Sequence, residues 1–554
     1  MAAIVSSNFR SLNAQNFKED VTATGSNVYI GLGKPSAWTT STGTITDSTP
    51  PLPSDDIDDL NVARKQLLGI KKIADDDISH VCPRHDWTSG RTYVAWDSND
   101  PDIFEKAFYV LTADFKVYKC LYSPGTAVSD VPTSTAAAPF STADNYVWKY
   151  MYTILAADSE KFLTTSYMPV KTLPVSVTVT VPATTSAATT IVISEENPDL
   201  LVGMTATAAS NGTLTSTPKI TAINGTTITV DSNIATNATN TTVTFSDFET
   251  TDSRYAQQQA QKTSESSYSN VRGIERILIT AQGSGYPDNA STVTMTISGD
   301  GSNAAITVTD AMINSSEQFV ITSHIPNNKG TGYTVAKVDI ADSGDGVNAT
   351  ARAIIAPGKG HGTDPVRELG GFYIGINTQI SGATDATDIV NTNDFRQIML
   401  LKNPLTTGGV KLTSSTARGT KFLKFATESE HDGTDVSIAA VATAALTGDP
   451  VMTGDTSGAV AYVTAVDTTA DDIKVYYHQN EVTGFKNFTD GETIDFTVAG
   501  SAISGASNVN LLNSGATQAA GFDTSSGEIL FLENRDPIQR SSTQVEDVKL
   551  IIEF

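Results

Sequence analysis

The sequence predicts a mainly β protein: a discontinuous β-sandwich core with a few short helices in loops, plus three small all-β insertions. Three observations carry this expectation. Thr, Ser, Gly and Val are abundant and long helical periodicities are scarce, which favours strands joined by many turns. An aromatic-rich texture at 1–174 returns at 358–426 and again at 518–554, with polar segments between. The chain is also too long, at 554 residues, for one core, because cores stop growing near roughly 250–300 residues.

Residues 1–174 form the first part of the core and hold all four tryptophans, Trp38, Trp87, Trp96 and Trp148. A short helix is expected from about Ser7 to Lys18. Ser54 is expected to cap a second, with Asp55-Asp56 in its first turn and an apolar stripe of Ile57, Leu60, Leu67 and Leu68. Strands are expected at Arg91–Trp96, Ala107–Leu111, Lys116–Leu121 and Tyr146–Ile154.

Residues 175–250 are rich in Thr, Ala, Ser and Asn and read as a first β-insertion. Within it, Lys219–Ile223 and Thr226–Val230 flank Asn224-Gly225, a type I′ hairpin signal. Residues 251–272 read as a linker, with a short helix at Tyr255–Ser264. Residues 273–357, a second insertion, contain a duplication. Gly283-Ser-Gly-Tyr286 recurs as Gly330-Thr-Gly-Tyr333, and Ser298-Gly-Asp-Gly-Ser-Asn-Ala304 recurs as Ser343-Gly-Asp-Gly-Val-Asn-Ala349. Two related β-units packed together, with glycines serving the turns, are expected there.

The core resumes over 358–426, with strands at Gly370–Ile376 and Phe395–Leu401. A third insertion spans 427–517, with strands at Ala459–Val466 and Ile473–Tyr477 and around Asp490–Ile494. The last core segment, 518–554, ends in two strands. Ile529–Leu532 is apolar on both faces, so cover on both sides is expected. Asn534–Pro537 interrupts with turn residues and charge. Val548, Leu550, Ile552 and Phe554 then alternate with Lys549, Ile551 and Glu553, a half-buried strand that ties the C-terminus into the core.

Charge excludes one class of partner. The net charge is -25, which phosphate backbones repel, and no basic patch offsets it. Neither a secretory signal nor an apolar run of about 18 residues occurs, so no membrane contact is expected. Cys82 and Cys120, with no CxxC, read as buried free thiols.

A search for chemistry returns little. No Gly-x-Ser-x-Gly elbow or HExxH pair is present. Pro357-Gly-Lys-Gly-His-Gly362 lacks the spacing and the Ser/Thr of a phosphate loop and reads as a turn before the next strand. His85 precedes Asp86 directly, and neighbours on a strand face opposite ways. Asp75-Asp76-Asp77 and the Gly-Asp-Gly turns offer hard oxygens for calcium but match no calcium loop; acidic turns on a solvated face are the plainer reading. No catalytic residue, cofactor or metal ligand is therefore expected.

Six short segments carry a resemblance. In chain order they are Ala3-Ile-Val-Ser-Ser-Asn-Phe-Arg10, Pro83-Arg-His-Asp-Trp87, Val117-Tyr-Lys-Cys-Leu121, Tyr146-Val-Trp-Lys-Tyr150, Phe395-Arg-Gln-Ile398 with Asn403-Pro-Leu405, and Glu533-Asn-Arg535 with Pro537-Ile538. They resemble the dimeric baseplate wedge subunit of T4-like contractile-tailed bacteriophages, over roughly 1–174, 359–425 and 518–554. The three insertions depart from that pattern. The resemblance implies a structural part, not an enzyme: a homodimer in the virion tail baseplate, assembled in the host cytoplasm. It would hold other baseplate wedge proteins and take part in the rearrangement on contraction. Candidate interface or structural residues are Arg84, Asp86, Trp87, Trp148, Arg396, Asn534 and Arg535, Arg and Trp being enriched at hot spots. The alternative is a receptor-binding or adhesive tail protein that contacts host-surface glycans through its insertions.

Overall fold

The computed structural model describes residues 4–22, 27–39, 44–136, 138–170, 176–182, 189–194, 197, 200, 204–209, 217–233, 241–246, 272–287, 289–357, 360–362, 364–381, 394–406, 408–413, 418–419, 422–425, 441, 450–467, 473–503, 509–510, 522–541 and 544–554. The chain is mainly β, built of antiparallel sheets with few short helices. It divides into two units, Met1–Phe17 with Ser79–Gly375 and Ile551–Phe554, and Lys18–Ile78 with Ile376–Leu550. The helix expected at Tyr255–Ser264 and the boundaries placed near Val175, Thr250, Thr427 and Gln518 lie outside the described residues.

In the first unit, a four-stranded sheet runs in the order Tyr109–Leu111, Lys116–Tyr122, Val147–Thr153, Phe140–Ser141. Its two long strands are buried along their length because both faces are covered. Tyr109, Leu111, Val117 and Met151 join one apolar cluster with Cys82, Phe108 and Met168. Val110, Tyr118, Cys120, Trp148 and Tyr150 join another with Tyr93 and Tyr146. Both cysteines are buried and free, as expected. Arg91–Trp96 alternates, with Tyr93 and Ala95 buried, but forms no ladder. Its backbone bonds go to separate segments, Val94 N to Ala107 O and Trp96 N to Cys120 O.

Two small sheets share one core: Thr190–Val192, Thr227–Val230, Ile220–Asn224, and Thr205–Ala209, Thr241–Ser246, Ser176–Val181. The hairpin forms with a one-residue shift. Asn224 pairs with Thr227, so Gly225 and Thr226 make the turn. Only Gly225 has positive φ (58°). That is the type II′ pattern with glycine first, not the type I′ turn that Asn-Gly suggests.

The region of the duplication builds a five-stranded sheet in the order Val293–Gly299, Ala336–Asp342, Val347–Ile355, Ile274–Ser284, Ser323–His324. Its duplicated segments are interlocked, not merely packed. The strand leading into the first Gly-Ser-Gly-Tyr pairs Ser284 with Val347, beside the second Ser-Gly-Asp-Gly. The strand leading into Gly-Thr-Gly-Tyr pairs Thr331 with Ser302, beside the first. Tyr286 Oη accepts from Ala349 N (3.2 Å), and Tyr333 Oη accepts from Ala304 N (3.3 Å). Each copy therefore completes the other.

A five-stranded sheet organises the second unit, in the order Arg418–Gly419, Leu67–Lys72, Val28–Gly33, Asp394–Lys402, Glu528–Gln539. The helix between its strands Val28–Gly33 and Leu67–Lys72 spans Ile57–Lys65 and is capped by Asp56, whose side chain accepts from Asp58 N; Ser54 instead accepts from Asp56 N. Leu67 and Leu68 leave the helix for the strand, where both are buried. Consecutive apolar residues need cover on two faces, which a helix stripe does not give. Ile529–Leu532 is not covered on both sides. Its strand lies at the sheet edge, and pairing of Phe531 with Leu400 and Ile529 with Leu401 leaves Leu530 as a bulge, 39% exposed. Bulges at edges re-aim side chains in this way. A separate sheet forms around Leu423, Met452, Tyr477, Ile494 and Phe496.

Candidate functional site

The motif residues of the first unit lock a corner beside the aromatic face of its central sheet. Arg84 Nε donates to Asp86 Oδ1 (2.8 Å) and Nη1 to Thr164 O (2.8 Å). Asp86 O accepts from Tyr93 Oη (2.8 Å), and Trp87 N donates to Leu111 O (2.8 Å). Trp87 packs against the aromatic cluster in which Trp148 is fully buried. Trp148 stacks on Tyr146 with centroids 5.5 Å apart and meets Tyr93 edge-on at 6.0 Å. His85 lies 5.1 Å from the Tyr109 ring. Burial, then Arg91, holds its pKa below the usual histidine value.

The motif residues of the second unit form a different corner. Arg396 is buried on an inner strand and donates to both Asp47 oxygens (2.8 Å each), to Pro35 O (2.6 Å) and to Asp394 (3.1 Å). Its hydrogen bonds keep the Asp47 carboxyl below the usual range. Asn534 accepts from Gln397 Nε2 (2.8 Å) and donates to Pro51 O (3.0 Å). Arg535 O accepts from Trp38 Nε1 (3.1 Å), while its guanidinium stays partly exposed, 4.0 Å from Glu533. Bidentate arginine pairing of this kind fixes geometry as well as charge.

A third constellation was not anticipated from the sequence. Lys119 and Glu368 form a buried ion pair (2.8 Å). His361 reaches Glu368 (3.7 Å) through Nδ1 and Glu275 (3.8 Å) through Nε2. Lys119 Nζ lies 4.4 Å over the Trp96 ring, and His361 meets the same ring edge-on at 4.9 Å. Burial pushes Glu368 up, but Lys119 and His361 outweigh it and hold its pKa at about 2. Glu368 also accepts from Gly362 N (2.8 Å), so the glycine-rich run delivers His361 to this node. Beside it, Arg352 pairs with Asp97 through both guanidinium nitrogens, and Arg276 donates to Trp96 O. Glu275, Arg276 and Arg352 belong to the strands that carry the duplication, so the node clamps those strands to the central sheet. The sequence did hold one signal: Lys119 and Lys149 interrupt apolar strands, and a lysine in a strand buried on both faces needs a partner.

The first Gly-Asp-Gly carboxylate serves a turn, and in the second copy Asp342, just ahead of the motif, accepts from Gly346 N (2.9 Å). Asp300 accepts from Thr334 N (2.8 Å) and Val335 N (3.0 Å), and these bonds, led by that from the Thr334 hydroxyl, lower its pKa strongly. Asp77 accepts from Ala74 N (3.1 Å). Among the described residues, no three His, Cys, Asp or Glu side chains are placed to hold a metal ion, and no helix is long and apolar enough to cross a membrane.

No curated protein matches the chain. Residues 3–135, with Arg84, Asp86, Trp87 and Lys119 among them, match the Phage-Gp8 family model, described as Bacteriophage T4, Gp8. Over that stretch, which holds three of the six motif segments (3–10, 83–87 and 117–121), the chain is similar to the baseplate wedge protein of T4-like phages.

Proposed function

We propose that this chain is a structural wedge component of a contractile phage-tail baseplate. It acts as a homodimer, holds neighbouring wedge proteins together, and takes part in baseplate assembly and in the rearrangement on contraction. It resides in the virion tail after assembly in the host cytoplasm. The observation that carries this reading is the family match over residues 3–135. The architecture supports it: the motif charges are spent on internal clamps that stiffen strand corners, as suits a part that transmits force. In this reading Arg84, Asp86, Trp87, Trp148, Arg396, Asn534 and Arg535 shape the surfaces that neighbours meet, and the partly exposed Arg535 touches a neighbour directly.

Immunogold electron microscopy with antibody against the whole folded chain tests the location. Gold in a ring at the baseplate rim is expected; gold along fibres with a bare baseplate overturns the wedge reading in favour of the adhesin. Sedimentation equilibrium tests the dimer: twice the 58.4 kDa chain mass is expected, and a concentration-independent monomer removes the homodimer.

A further inference from the structure

The carboxylates around His361 are already matched without it. Lys119, from the central strand Lys116–Tyr122, pairs with Glu368 at the end of the short helix Pro365–Glu368 (2.8 Å). Lys329, from the strand Asn328–Thr331, donates to both oxygens of Glu275 (3.0 and 2.9 Å). Each carboxylate therefore has its own ammonium. The other charges packed about the joint are Lys149, fully buried on the neighbouring central strand Val147–Thr153, Arg276 beside Glu275, and Asp97 with Arg352, which pair with each other. His361 itself is 4% exposed, and neither ring nitrogen is hydrogen-bonded. Glu368 at 3.7 Å and Glu275 at 3.8 Å stand just beyond donor–acceptor reach. Gly360 and Gly362 flank the residue with φ of 82° and 91°, a backbone that glycine adopts freely. A proton on this ring would add a buried positive charge beside Lys119 with no free carboxylate to balance it. Burial, followed by Lys119, accordingly holds its pKa below the ordinary histidine value, and the two carboxylates offset this only in part.

We propose that His361 is a proton-operated latch: neutral, it lets the strands that carry the duplication seat on the central sheet, and in mild acid it weakens that seat. The inference stands on the joint alone and does not depend on the baseplate reading. While the strands are seated, the ring resists a proton. Once they lift, it meets water and takes one at the ordinary value near 6.5. The lifted state thus binds more protons. Seating is complete above about pH 6.5 and weakens as pH falls from there toward the depressed value of the seated ring. The carboxylates enter later: Glu368 is held at about 2 and Glu275 also below its usual value, so both loosen the joint only below about pH 4.5. Burial lowers Lys119 too, against the pull of Glu368, and a histidine variant separates the two residues. Trp96 sits at the centre of the latch. Its ring carries Lys119 over one face at 4.4 Å and meets His361 edge-on at 4.9 Å, so the two cations would share one ring.

The test is hydrogen exchange of the full chain at about pH 7.5 and about pH 5, corrected for the intrinsic exchange rate at each. It reads the strands at 274–284, 328–331 and 347–355 against the central strands at 116–122 and 147–153. In the wild type, protection of the first set relative to the second is expected to fall several-fold on acidification. The ceiling is about thirtyfold, the limit for one proton taken up over about 1.5 pH units. His361→Gln keeps a polar group of similar size that takes no proton, and its relative protection is expected to stay flat over the same range. Unchanged protection in the wild type overturns the proposal. So does increased protection, which would mean that the charged ring bridges Glu275 and Glu368 and tightens the joint. An equal fall in the variant overturns it as well, and so does an equal loss in the central strands, which would be unfolding of the whole unit. Should His361→Gln lose its fold, the wild-type ring is titrated directly by nuclear magnetic resonance, assigned through its contact with Trp96. A ring still neutral at about pH 6 is expected, and a midpoint at or above the ordinary value near 6.5 overturns the latch.

Discussion

The central sheet of the first unit and the duplicated insertion clamped to it solve the same problem by opposite means. The sheet is filled by large side chains: Tyr109, Tyr118, Tyr150 and Trp148 are fully buried, and Lys119 is neutralised inside by Glu368. The insertion is closed by the absence of side chains. A Cβ on Gly330 would lie 2.4 Å from Ala304 N, and one on Gly283 would lie 2.4 Å from Val347 O. Glycines at 301 and 346 leave room for the Tyr333 and Tyr286 rings, which a Cβ would approach to 2.4 Å. Bulk fills a sheet covered on both faces, whereas close backbone approach joins two short repeats around a shared apolar core that includes Ile277, Tyr286, Phe319 and Tyr333. The first is sensitive to lost volume and the second to added atoms.

That contrast can be broken from either side. Trp148→Ala is expected to have the largest effect, about 3–5 kcal/mol, since truncating a buried aromatic leaves a cavity. Chemical denaturation, with hydrogen exchange reporting the strands at 116–122 and 147–153, measures it; a loss confined to the insertion would contradict the division. Glu368→Gln comes next. Breaking a buried pair leaves Lys119 without its counter-charge, costing roughly 3 kcal/mol at neutral pH. Because the folded pKa of Glu368 is depressed to about 2, its contribution is present above the ordinary carboxylate value near 4.5. That contribution is lost as pH falls from there toward 2. The variant should therefore show a flatter stability profile across that window than the wild type, and identical slopes would refute the pairing.

Gly330→Ala is expected to cost about 2 kcal/mol. Its φ of 64° is strained for any residue with a Cβ, and the contact is with backbone, which cannot turn aside. Exchange should accelerate at 302–305 and 328–331 while the central sheet stays protected; equal acceleration in both would mean that the regions unfold together. Tyr333→Phe is the smallest change, roughly 1 kcal/mol, because it removes one hydroxyl acceptor from Ala304 N. Tyr286→Phe should match it, and a difference well beyond that size would show that the two copies are no longer equivalent in energy.

Much of this was legible before the coordinates. The fold class followed from turn-rich β composition, and the strand Asp394–Lys402 from its apolar run. The duplication was visible as repeated glycine and tyrosine positions. The motif residues were legible as places, not as partners: nothing near Arg396 in the chain points to Asp47, which lies far away in sequence. The clamp around His361 was hidden for the same reason. Its residues come from four distant segments, and a glycine-rich run without phosphate-loop spacing gave no hint of a buried histidine.

The sequence by itself determined local things, since period and turn chemistry act over a few residues: most of the strand-forming segments, where glycine is required, and which side of a strand seeks cover. Yet Arg91–Trp96 alternates without forming a ladder, and Asn534–Pro537, read as a break, lies within the strand Glu528–Gln539. Only the tertiary structure decided register and pairing. It moved the hairpin turn onto Gly225-Thr226, put Leu67 and Leu68 in a strand, left Leu530 bulged at an edge, and exchanged the strands of the two repeats. Those outcomes depend on what lies across the sheet. A strand's side-chain pattern says which face to bury, but the partner that buries it, and the charge that meets a buried lysine, come from chain hundreds of residues away.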